Sequence, residues 1–192
     1  MESIRHTIQQ MIRITASELD AFLAGAFDRE YKRLECICTE GSVPDEVYFV
    51  NKGIIRVLLT DSEGKEHTVH FALENQFIAD YSGFLQQQPG LYTLQALEDC
   101  HLTVLPRPTI EWGYAHLREG QKMGRLIAEF YFIYQDERIK NQYVRTAKER
   151  YDAITEVFPN IHKRVPQHMI ASYLGISPIH LSRLKRSRNG KI

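Results

Sequence analysis

The stretch Pro166–Arg186 constrains this chain more than any other part of it. Met169, Ile170, Tyr173 and Leu174 recur at helical spacing. Gly175 then supplies the positive φ that a tight helix stop needs. Ser177 is placed to cap a second helix, and Pro178 fits its first turn, where no amide donor is required. On that second helix Leu181 and Leu184 share one face, while Ile179, Ser182, Arg183 and Arg186 lie opposite, at about 100° per residue. Two short helices around a glycine turn, with a buried Leu pair and an outward Arg pair, make a helix-turn-helix pattern. Basic helix hairpins also occur in proteins that never touch nucleic acid. The outward face nonetheless suits a DNA major groove, where Arg donates two hydrogen bonds to guanine O6 and N7.

Charge distribution favours that use. The 192 residues hold 24 Lys/Arg and 24 Asp/Glu, yet from Arg138 onward there are 12 basic residues against 3 acidic ones. The preceding part is acidic by the same margin. A basic module joined to an acidic one is expected of a nucleic-acid binder with a separate regulatory half.

The chain read in order predicts mixed α and β structure. Residues 1–30 read as helical, with Ile8, Met11, Ile12 and Ile14 partly periodic. Thr15-x-x-Glu18 reads as a capping box that opens a second helix with Leu19, Phe22 and Leu23 inward. From about Lys32 to Pro106 the pattern has period two, with apolar runs around Tyr48, Val57 and Phe71 and a hairpin turn at Asp61-Ser62-Glu63-Gly64. Further strands are expected at 91–98 and 101–106. Many short strands with turns between them indicate an antiparallel sandwich, roll or barrel. A helix of about ten residues should follow Pro106 and Pro108, with Ile110, Trp112, Tyr114 and Leu117 packing locally. A long helix is expected at 119–143. Its seam of Met123, Leu126, Ile127, Phe130, Ile133 and Tyr134, running into Glu137, is able to cover the β domain or to form a two-stranded coiled coil. A dimer suits a helix-turn-helix, because duplex DNA offers two-fold-related half-sites. Residues 146–157 read as a short helix with Ala147, Tyr151, Ile154 and Val157 inward, stopped at Phe158-Pro159-Asn160. Ile161 to Val165 reads as a link carrying the edge of a small β wing.

The whole order resembles the Crp/Fnr family of bacterial transcription regulators. Glu40–Gly53 is similar to that family's early β-roll, Asp61–Glu66 to its hairpin tip, and Ala96–Cys100 with Leu105-Pro106-Arg107 to its last β-roll hairpin. Lys148–Tyr151 and Ile170–Pro178 resemble its DNA-binding half. The resemblance implies an α+β fold in three parts: an antiparallel β-roll over 1–118, a dimerisation helix and linker over 119–143, and a winged helix-turn-helix over 144–192. It implies a cytoplasmic homodimer on a palindromic double-stranded operator, acting on RNA polymerase. The DNA-contacting set it implies is Gln167, His168, Ser177, Pro178, Ile179, His180, Ser182, Arg183, Lys185, Arg186 and Arg188. Ile179 stands where many members carry a Glu that reads cytosine, whereas the Arg position is kept as Arg183.

The effector region departs from the pattern. Cyclic-nucleotide-binding members place a Gly-Glu pair after the hairpin and an Arg-Ser/Thr pair before the last strands. This chain reads Phe77-Ile78-Ala79-Asp80-Tyr81 and Gly90-Leu91-Tyr92, so Asp80 is one place off the Glu and the Arg is absent. A degenerate pocket of Ile78, Ala79, Asp80, Tyr81, Gly90, Leu91 and Tyr92 is therefore expected, narrowed by bulky side chains and independent of cyclic AMP. No cysteine precedes Cys36, so the iron–sulfur ligands of oxygen-sensing members are missing, and no cofactor is expected. Cys36, Cys38 and Cys100 read as structural thiols rather than a disulfide framework.

Two other function classes compete. One is a receptor for a cyclic nucleotide or another small molecule whose output is not DNA binding. The other is a cupin-like metal enzyme using His67 and His70, but a three-residue spacing puts these on opposite strand faces and suits surface histidines better. No Ser/His/Asp, Cys/His or phosphate-loop constellation is present, so an enzyme is not expected. No run is apolar enough to span a membrane, and the N-terminus lacks a signal-peptide core.

Overall fold

The computed structural model describes residues 1–189, and the side chains of 1–187. Eight strands form two four-stranded antiparallel sheets, ordered β1-β8-β3-β6 and β2-β7-β4-β5. Their ranges are β1 Phe27–Tyr31, β2 Cys36–Cys38, β3 Glu46–Lys52, β4 Ile55–Thr60, β5 Glu66–Ala72, β6 Phe77–Ile78, β7 Thr93–Ala96 and β8 Cys100–Pro106. The helices are α1 Glu2–Met11, α2 Ala16–Leu23, α3 Tyr81–Gln86, α4 Arg107–His116, α5 Gly120–Val144, α6 Ala147–Val157, α7 Ile161–Arg164, α8 Gln167–Leu174 and α9 Pro178–Asn189.

Period-two alternation decides the layering. In β3, Tyr48 and Val50 point between the sheets, towards Ile55, Leu94 and Leu102. Val47 and Phe49 point the other way and pack under α1, α2, α4 and the start of α5, on Ile8, Phe22 and Met123. The second sheet also has two apolar faces. Ile54, Phe71, Leu73 and Leu97 lie beneath the C-terminal helices, in one core with Tyr151, Phe158, Ile170 and Leu181. The β sandwich is thus covered by helices on both sides, and β3, β4 and β8 are buried on both faces.

Local chemistry sets the element ends. Thr15 and Glu18 form the expected capping box, and a second box joins Thr146 to Glu149 at the start of α6. The hairpin β4–β5 closes over Asp61–Gly64, where Gly64 has φ +78°. Gly175 ends α8 at φ +67°.

Several expectations need correction. Residues 27–31 are not helical. They pair with β8 from Phe27↔Val104 to Tyr31↔Cys100, although only Tyr31 is buried. Val157 is exposed and Phe158 carries the packing at the end of α6. The link expected to hold a wing edge is the helical turn α7, and no strand follows β8 among the described residues. Lys163 N–H donates to the carbonyl of Asn160, and Val165 N–H to that of Ile161, which rolls this segment into a turn instead of extending it.

Candidate nucleic-acid interface and effector cavity

α8 and α9 form the helix-turn-helix. Ser177 Oγ accepts from the His180 N–H at 3.2 Å and caps α9. Leu181 is buried on Ile170 and Leu174, and Leu184 packs beside it. Ile179, His180, Ser182, Arg183 and Arg186 are exposed, with Ser177 and Pro178 exposed at the helix start. Lys185 is half-buried, as is Gln167 at the start of α8, while His168 faces solvent. The Arg188 side chain lies outside the described residues. Placement of α9 follows from α8, which packs on β5: the Thr68 N–H donates to Ser172 Oγ at 2.9 Å. Arg164, just before α8, holds Glu74 through a two-pronged pair at 2.6 and 3.0 Å and also reaches Glu98. Both carboxylates favour the cation, so its guanidinium stays charged.

The seam of α5 is divided between two jobs. Met123, Leu126 and Ile127 pack on the chain's own core. Tyr134 packs on the C-terminal core, and its hydroxyl lies 3.0 Å from that of Tyr173. Of the two uses that the spacing allowed, these four residues take the covering of the chain's own cores. Phe130 and Ile133 remain exposed, at 60% and 55%, with Glu137 beside them. Phe132, Ile139, Tyr143 and Val144 are exposed too. The outward half of α5 is therefore apolar well beyond what a solvated face needs.

The expected pocket is also divided. Asp80 is 1% exposed, with both carboxylate oxygens held inside the protein. Its Oδ1 accepts from the Gly83 N–H and the Ser82 hydroxyl, both at 3.1 Å, and its Oδ2 accepts from the Tyr92 N–H at 3.3 Å. Gly90 is a glycine for a steric reason: a Cβ there would stand 1.9 Å from Asp80 Oδ2. Leu91 points to solvent, 68% exposed. Phe84 belongs to the core under α4, with the Arg107 guanidinium 4.0 Å over its ring.

A cavity of about 310 Å³ nevertheless remains beside α5. Ile78, Ala79, Tyr81 and Tyr92 line it as expected. Sequence reasoning missed Val57, Val69, His70, Ser82, Ala128, Tyr131, Phe132 and Gln135. Tyr131 was findable from its helical position, four residues before Gln135. His70 was not, because a strand histidine gives no sign of what crosses over it. It is not a surface histidine: it is buried against Tyr131, Tyr134 and Phe158. Burial, with a contribution from Arg138, pushes its pKa down to about 3, so the ring is neutral at physiological pH. His67 instead pairs with Asp61 at 2.6 Å on the hairpin. No group of His, Cys, Asp and Glu able to hold a metal ion occurs among the described residues.

Residues 28–115 match the family model of the cyclic nucleotide-binding domain. Solved structures extend the likeness to the C-terminal helices. FixK2 from Bradyrhizobium japonicum superposes with a TM-score of 0.74 at 17% identity, covering 86% of this chain and 85% of that one. A putative Crp/Fnr-family transcriptional regulator from Eubacterium rectale gives 0.71 at 13%, covering 93% and 85%. The fold is Crp/Fnr-like. The c-di-GMP responsive global regulator CLP from Xanthomonas campestris shares it at 0.69 and 13% identity, covering 92% of each chain. No curated protein sequence matches the chain. No Lys or Arg lines the cavity beside α5. No helix among the described residues is long and apolar enough to cross a membrane.

Proposed function

We propose that this chain is a sequence-specific DNA-binding transcription regulator of Crp/Fnr type that acts as a homodimer and does not depend on cyclic AMP. The observation that carries the reading is α9, which buries Leu181 and turns Ile179, Ser182, Arg183 and Arg186 to solvent. The three functional parts are the β half over 1–118, the dimer helix over 119–143 and the DNA-binding part over 144–192. Arg183 reads a guanine, and Ile179, unable to accept from cytosine N4, packs on a thymine methyl. Gln167, His168, Ser177, Pro178, His180, Ser182, Lys185, Arg186 and Arg188 fix the register on phosphates and sugars. Phe130 and Ile133, with Glu137 at their edge, form the dimer contact and so set two recognition helices on a palindrome. The bound dimer then works on RNA polymerase.

Independence from cyclic AMP follows from charge. Taking a phosphate out of water costs several kcal/mol unless a cation or several donors replace the water. At the start of α3 the Gly83 amide is already held by Asp80, whose buried carboxylate would repel a phosphate. Arg56 is buried elsewhere, on Thr68 and Glu66.

Selection of bound DNA from a random pool tests the reading. A palindromic consensus is expected from the wild type, and its loss in Phe130→Asp/Ile133→Asp, which should sediment as a monomer. A wild type that enriches no sequence, or a monomer that binds the palindrome as tightly, overturns it.

A further inference from the structure

The basic C-terminal part holds a second cavity whose charge the fold leaves unbalanced. It measures about 80 Å³ and lies in the corner where α5 turns into α6, against the end of α8. Arg138, Arg145 and Arg150 line it, beside an apolar wall of Ile154, Tyr173 and Leu174. No Asp or Glu lines it. The carboxylates of the neighbouring turns are spent elsewhere. Asp136 pairs with Lys140, and Asp152 with Lys148 at 2.6 Å. Glu149 is held by Thr146, and although the Arg145 charge also lowers its pKa, the two form no ion pair.

The three guanidinium groups have different duties. Arg150 donates through Nε to the Leu174 carbonyl at 3.2 Å, and through Nη1 to those of Arg145 and Gln142 at 2.7 and 3.5 Å. These are the carbonyl ends of α8 and α5, whose partial negative charge would repel an anion, and Arg150 takes them up. Arg138 lies over the Tyr173 ring, 5.4 Å from its centroid, and has no ion pair among the described residues. Arg145 is exposed and has none either. Like charges gathered without a counter-charge repel one another. The space holds about two or three water molecules. That suits one phosphoryl or carboxylate group and is too small for a nucleoside or a ring compound.

We propose that this corner binds a small oxyanion, phosphoryl or carboxylate, held by the guanidinium groups of Arg138 and Arg145 with Arg150 behind them. A guanidinium fork matches the paired oxygens of either group. The bound anion cancels the repulsion and ties the end of α5 to α6 and α8, the helices on which α9 is carried. The site needs no DNA, so it stands or falls apart from the DNA-binding reading.

Titration calorimetry on the full chain without DNA, with inorganic phosphate and with malonate at constant ionic strength in chloride, tests the site. The expected result is saturable binding of at least one of them at a Kd of about 1 mM or lower. At ten times that Kd the anion should raise Tm by about 3–6 °C. The tighter of the two tells a phosphoryl ligand from a carboxylate one. Arg138→Gln/Arg145→Gln should weaken binding about tenfold or more. Lys122→Gln/Lys140→Gln removes the same two charges outside the cavity and should change it less than about twofold. Arg145→Gln alone, at an exposed side chain without an ion pair, should weaken binding about threefold or more. It keeps the test decisive should the double Arg variant fail to fold. Absence of saturable binding for both anions, equal losses in the two double variants, or binding untouched by Arg145→Gln overturns the proposal.

Discussion

Two helices of this chain begin with the same chemistry and end up with opposite availability. At the start of α9, Ser177 Oγ accepts from the third amide on, and the residues around it face solvent. At the start of α3, Asp80 accepts from the equivalent amide of Gly83, but it is buried and also takes the N–H of Tyr92. A helix start offers its free amides to an anion. In α9 that end faces solvent. In α3 the chain's own buried carboxylate takes the Gly83 amide. The comparison shows how one capping geometry leaves a helix start exposed or buries it: at α3 the missing Cβ of Gly90 leaves room for the Asp80 carboxylate.

The largest effect should come from placing an Arg at Gly90. Gly90→Arg puts a Cβ against Asp80 Oδ2, 1.9 Å away, and should cost about 3–5 kcal/mol of stability without creating cyclic-AMP affinity. Urea denaturation and calorimetry measure both, and a stable variant that binds cyclic AMP would break the comparison. Asp80→Ala comes next, at about 2–3 kcal/mol, because it leaves the Gly83 and Tyr92 amides buried and unpaired. Asp80→Asn should recover part of that loss, and equal Tm values for wild type and Asp80→Ala would mean the cap carries no load. On the open side, Arg183→Ala should remove about 1–3 kcal/mol of discrimination at one base per half-site, read from binding to single-base operator variants. Unchanged preference at every position would place the reading face elsewhere. Ser177→Ala should cost about 1 kcal/mol of stability, less than Asp80→Ala, since water can replace an exposed cap. A loss as large as that of Asp80→Ala would erase the distinction between the open and closed helix starts.

Much of the architecture was legible because local chemistry and periodicity agreed. Thr15-x-x-Glu18, the Asp61–Gly64 turn and Gly175 each impose a geometry on the backbone, and each appears where it reads. The strand at Phe27–Tyr31 escaped notice because four of its five residues are not buried, so period-two patterning is weak. α7 escaped because a one-turn helix has no periodicity to show. The division of α5 was illegible for another reason. Three- and four-residue spacing finds apolar positions but not which of them the rest of the same chain covers, and Met123 and Phe130 look alike until β3 and α1 are placed. The cavity depends on long-range neighbours in the same way. Its aromatic lining was half visible in Tyr81 and Tyr92, whereas the inward turn of Asp80 follows from the missing Cβ at Gly90.

The rings of Phe71, Phe158 and Tyr173 meet at centroid distances of 5.4–5.6 Å, joining the β sandwich to the helix-turn-helix through one continuous core. Arg164 fastens the same junction to Glu74 and Glu98. Such a junction couples the melting of the two halves. Opening either one exposes Phe71 or Phe158 to water and withdraws support from the other, so heat should unfold the chain in a single calorimetric transition. Amides of β5 and α8 should then exchange hydrogen at the rate of global unfolding. The exposed end of α5 at Tyr143 and Val144 would exchange sooner.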